Sequence, residues 1–148
     1  MTYVTLHAVW MILAVAAGTV AGYMGLVRAA MGKEGQSPLP GRFSQRPHVV
    51  FGTAYYVMLY VGILYGWLMH EFLLPEPYLP PAIAKLHIGL AVAIGVLYGA
   101  AWAIGGGLTK KSAGTSRLRP RLHMVCNYAA CTLVAVQIGV AAYYVWIL

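Results

Sequence analysis

Apolar residues fall into four long stretches separated by three short polar connectors. A helix needs roughly 20 mostly apolar residues to cross the hydrocarbon core of a bilayer. Residues 3–27, 48–69, 84–106 and 122–148 each have that length, and no charged side chain lies in their apolar interiors. The pattern predicts an all-α integral membrane protein, an up-down four-helix bundle forming one domain over residues 1–148. No basic segment precedes the first stretch and its small residues continue unbroken, as in a retained helix rather than a cleaved signal peptide. No sequence repeat is evident beyond the alternation of spans.

The connectors carry the charge. The first holds Arg28, Lys33, Arg42 and Arg46, and the third holds Lys110, Lys111, Arg117, Arg119 and Arg121. The second, Glu71 to Ile83, has two acids and no base, with Lys85 just beyond it. Nine of the ten basic residues thus fall on one side, which the positive-inside rule makes cytoplasmic. Both termini are then expected on the outer (periplasmic) side of a bacterial inner (plasma) membrane. Pro75, Pro77, Pro80 and Pro81 make the outer connector short and stiff. Tyr143, Tyr144 and Trp146 read as an interfacial aromatic belt, with a partner surface as the alternative.

Composition narrows the function. The chain is 61% hydrophobic and 9% charged, against about 25% charged for a soluble domain. So little polar surface excludes a soluble enzyme, a disordered chain and a nucleic-acid-binding domain, despite the net charge of +7. Cys126 and Cys131 fit neither a redox CxxC nor a zinc site and read as buried small hydrophobes. Gly18 with Gly22, and Gly95 with Gly99, would let helices approach closely or make room for a flat cofactor.

The histidines carry the candidate chemistry, because an ionisable residue within a span is costly. His7 and His87 enter the first and third spans from the outer side, and His48 and His123 enter the second and fourth from the inner side. In an up-down bundle the first and third helices are diagonal, as are the second and fourth. Each diagonal pair then presents two imidazoles at one depth, the arrangement that bis-His ligation of haem requires. Arg46, Lys85 and Arg121 each stand two residues before one of these histidines, where they could pair with haem propionates. Positive-inside and snorkelling charges would account for Arg46 and Arg121 as well. Small residues flank the ligands: Gly52 and Ala91 at one turn, Ala14 and Ala130 at two. Asn127, one turn from His123, is a polar group in need of a partner. His70 and Glu71 mark a candidate outer quinone or proton site, and Arg42 with Arg46 an inner one. His70 is also the alternative to His7 as outer ligand.

On these four histidines the chain resembles the two-haem, four-helix cytochrome b superfamily, specifically its cytochrome b561-like group. The resemblance implies two b-type haems, His7 and His87 holding the outer one and His48 and His123 the inner one. It implies single-electron transfer across the membrane between a quinone pool or redox partner subunit and an acceptor. The six-helix members of that group have more spans than this chain, which leaves ascorbate recognition without support here. Membrane lipid and a redox partner subunit or quinone are the expected partners, with no nucleic acid. The alternatives are a cofactor-free membrane anchor or assembly subunit and a small histidine-based metal carrier. Metal carriers usually add acidic or thiol ligands inside the bundle, and this chain has no intramembrane carboxylate.

Overall fold

The computed structural model describes residues 2–31, 38–74, 80–109 and 118–147, with the side chains of 2, 109 and 144–147 outside the description. Lys33, Lys110, Lys111, Arg117, most of the proline-rich outer connector, and the Tyr144 and Trp146 side chains therefore lie outside it. The protein is all-α. Its helices are α1 (Thr2–Ala30), α2 (Gln45–Leu68), α3 (Pro81–Thr109) and α4 (Leu118–Ile147). A π-helical turn, Met69–Leu73, continues α2. All four helices are long and apolar enough to cross a membrane.

The helices extend past the apolar stretches because helix formation depends on backbone bonding rather than hydropathy. α4 begins at Leu118, so Arg119 and Arg121 lie within it rather than in a connector. Pro81 takes the first position of α3, where a missing N–H costs nothing. The Pro80 carbonyl accepts from Ile83 and Ala84 at 2.9 and 3.0 Å. Three polar side chains inside the spans bond to their own helix: Thr19 to Val15 O, Thr132 to Tyr128 O, and Asn127 to His123 O. Asn127 thus finds its partner one turn back. Large apolar side chains are exposed along every helix, from Ile12 and Val57 to Val96 and Val125, as lipid-facing surfaces require.

The chain divides into two compact units, Met1–Gly62 and Ile63–Leu148. In the first, α1 and α2 run antiparallel. Trp10 Nε1 donates to Met58 O at 2.7 Å near one end, and His48 meets Ala21 near the other. Between them Gly18 lies against Tyr55, whose ring would stand 3.0 Å from any Cβ at that position. The segment before α2 folds back on α1: Tyr23 donates to Pro40 O at 2.7 Å, and the Arg28 guanidinium stacks 5.6 Å above the Phe43 ring. Gly41 supports this turn with a φ of +95°, a conformation that strains other residues.

In the second unit α3 and α4 are also antiparallel, joined by Gln137 to His87 at one end and His123 to Ala101 at the other. Between these, buried Tyr98 reaches Cys131 Sγ at 3.2 Å, next in sequence to the fully buried Ala130. Cys131 is therefore not the buried hydrophobe its apolar setting predicts: it is exposed, and Cys126 is half-buried. Of the glycine pairs the sequence singles out, Gly18 makes a close approach while Gly22 faces open space.

Trp10→Phe keeps an aromatic ring, smaller than the indole, and removes the N–H donor. The expected cost is at least about 1 kcal/mol, the usual net value of one such bond, with the lost packing in addition. A lowered thermal midpoint in detergent with unchanged helicity would register it; an unchanged midpoint would refute the assigned role.

Candidate functional site

Three of the interhelical bonds use one local device. In an α-helix the carbonyl of residue i receives the N–H of residue i+4, and side chains tilt back toward the N-terminus. The side chain at i+4 therefore lies near that carbonyl and crowds a donor approaching its second lone pair where the two helices come closest. Glycine at i+4 leaves the carbonyl open to a donor from a neighbouring helix.

His48 Nδ1 lies 2.9 Å from Ala21 O, and Gly25 stands four residues after Ala21. His123 Nδ1 lies 2.7 Å from Ala101 O, and Gly105 stands four residues after Ala101. Trp10 Nε1 uses Met58 O, and Gly62 stands four residues after Met58. In each case the glycine faces the incoming ring. A Cβ on Gly25 would be 3.5 Å from His48 Cε1, one on Gly105 2.9 Å from His123 Cε1, and one on Gly62 3.2 Å from Trp10 Cδ1.

The acceptor fixes the chemistry of the two imidazoles. A carbonyl can only accept, so Nδ1 of His48 and of His123 must carry the proton. In the neutral ring Nε2 then holds the lone pair that a metal ion needs. Such a carbonyl bond is also the usual outer support of a metal-bound histidine, since it fixes ring orientation and raises ligand basicity.

The two units repeat this arrangement at matching places. Ala21 and Gly25 follow His7 by 14 and 18 residues; Ala101 and Gly105 follow His87 by 14 and 18. Each unit thus carries a second histidine on its first helix, about 21 Å along the axis from the carbonyl that holds its partner. His7 shares a helix face with the buried Ala14 and Ala21, and His87 shares one with the buried Ile94 and Ala101. All four histidines are half-buried. His7 Nδ1 is a buried nitrogen. His87 Nδ1 lies 2.8 Å from Gln137 Nε2, which also donates to His87 O at 3.1 Å.

The surroundings of the inner histidines differ. Phe43 lies tilted over His48 with ring centroids 5.8 Å apart, linking it to Arg28 through the stack described above. On α4, Arg119 stands one turn before His123 and therefore on its face, whereas Arg121 is rotated by about 200°. Arg119, with Ala103, Ile104, Gly107, Leu118 and Leu122, lines a half-open groove of about 540 Å³. The same rotation separates Arg46 from His48 and Lys85 from His87, and all three of these cations are exposed. His70 and Glu71 fall in the π-turn, half-buried and exposed respectively, beside an edge-to-face Trp67–Phe72 pair.

Among the described residues no three His, Cys, Asp or Glu side chains gather as ligands for a bare metal ion. No protein-family model matches the chain, and no curated protein or solved structure matches it.

Proposed function

We propose that the protein is a dihaem b-type cytochrome that carries single electrons across a membrane. One observation carries the reading: two equivalent histidines, His48 and His123, each donate Nδ1–H to a glycine-uncovered carbonyl at matching places in the two units. Half-buried imidazoles oriented in the ligating tautomer fit a haem better than a bare ion. A haem brings four nitrogens of its own and asks the protein for two axial ligands.

His48 with His123 would hold the inner haem, and His7 with His87 the outer one. A haem bound there would supply one-electron chemistry between ferrous and ferric iron, and ligation by two histidines suits electron transfer rather than oxygen binding. The chain's own part is to orient the imidazoles, raise their basicity through the carbonyl bonds and keep water from the ligands. Phe43, whose ring lies 5.8 Å from that of His48, would contribute to the last purpose there. Arg46, Lys85 and Arg121 remain candidates for propionate pairing. Arg119 joins them, because it shares the face of His123. The basic ends of the helices face the cytoplasm in this reading, with a quinone or partner subunit meeting His70 and Glu71 on the outer side. A bacterial plasma membrane is the proposed location.

The test is a reduced-minus-oxidised visible spectrum of the purified protein, with haem quantified per chain. Sharp b-type bands and about two haems per chain are expected on bis-His ligation at both sites. A chain made in a haem-replete host that carries none would overturn the reading and favour the cofactor-free anchor.

A further inference from the structure

His87 is the exception among the supported histidines. The carbonyls that hold His48 and His123 can only accept, so they impose one tautomer. The Gln137 amide that holds His87 has a donor end and an acceptor end. Its nitrogen lies on both His87 Nδ1 and His87 O, at 2.8 and 3.1 Å. An NH2 group donates, so Nδ1 accepts here and the ring proton of neutral His87 sits on Nε2. That tautomer has no lone pair to give a metal at Nε2.

The amide is not satisfied in this position. Gln137 Oε1 is buried with no hydrogen-bond partner among the described residues. Half a turn of the amide would bring Oε1 to Nδ1, where it could accept an Nδ1–H. It would also place that oxygen against His87 O, which repels it. Each orientation therefore leaves one polar contact unmet, and turning the amide also gives up its bond to His87 O. The first unit has no counterpart: 14 residues after His48 stands Gly62, as Gln137 stands 14 after His123.

We propose that Gln137 is a positioning residue that sets the tautomer of His87, so that His87 can hold iron only once the amide has turned its oxygen toward Nδ1. The inference rests on the cytochrome reading for the role of His87, but its first half concerns the chain without haem. There, isotope-labelled imidazole nitrogens read by NMR, assigned with His87→Asn, should show His87 as the Nε2–H tautomer. His48 and His123 should show Nδ1–H. Gln137→Leu should release the His87 preference and leave the other two unchanged. An Nδ1–H tautomer at His87, or nitrogen shifts indifferent to Gln137→Leu, would overturn the proposal.

The second half uses the haem-loaded protein after reduction. His87 should then show Nδ1–H. Gln137→Glu, an acceptor when ionised, should lower the midpoint of the haem lost in His87→Ala. A tenfold change in its redox equilibrium, about 59 mV for one electron, is expected, with the other haem unmoved. An unshifted midpoint overturns the coupling while leaving the cytochrome intact. Failure to bind haem at all overturns the cytochrome and the ligation half together, while the tautomer measurement still decides the first half.

Discussion

His48→Ala and His123→Ala should each remove the same one of two haems, leaving about one haem per chain and an unchanged spectrum for the other. The expectation follows from their equivalence. Both rings sit in the first two turns of their helices, and both are held through Nδ1 by an alanine carbonyl. If they are the two axial ligands of one iron, neither suffices alone. His7→Ala and His87→Ala should act on the other haem. If His7→Ala kept both haems and His70→Ala lost one, His70 would replace His7 as the outer ligand. Loss of different haems in His48→Ala and His123→Ala would break the proposed pairing itself.

Gly105→Ala should uncouple haem binding from stability. The new Cβ would lie 2.9 Å from His123 Cε1 and 3.1 Å from its Nδ1, too close for the ring to remain where it is. The ring can escape only by leaving the Ala101 carbonyl, which gives up its orientation. Affinity for the inner haem should fall at least tenfold, about 1.4 kcal/mol. Alanine meanwhile favours the helix over glycine by about 1 kcal/mol. The variant should therefore stay helical and withstand heating while binding less haem. Gly25→Ala provides the contrast. Its Cβ would stand 3.5 Å from His48 Cε1, an ordinary contact, and haem affinity should change less than about twofold. Haem titration of the two variants, with thermal midpoints alongside, measures both. Equal losses at the two positions would refute the argument from distance.

The four helices are legible in the sequence because their signal is local: twenty or so apolar residues suffice. Their ends are less so. Arg119 and Arg121 look like connector by hydropathy, yet the backbone at Leu118 already forms α4. The histidines stand out because imidazoles are rare in spans, and their alternation between ends can be counted along the chain. What holds them cannot. That Ala21 rather than Gly22 meets His48 depends on interhelical register. Glycine spacing draws attention to Gly18 with Gly22 and to Gly95 with Gly99, but Gly25 and Gly105 are the ones that expose carbonyls. The signal that could have found them is the common spacing of Ala and Gly after His7 and His87, invisible to hydropathy because every residue involved is small. Gln137 is one of two amides in α4, and its partner His87 lies 50 residues away.

The midsections of the two units place their bulk on opposite helices. In the first, α1 offers Gly18 and α2 offers Tyr55; in the second, α3 offers Tyr98 and α4 the Cys131 Sγ that it reaches. Each hairpin thus fills its own midsection with a single ring, and a second large side chain at Gly18 would have to displace Tyr55, which a Cβ alone already meets at 3.0 Å.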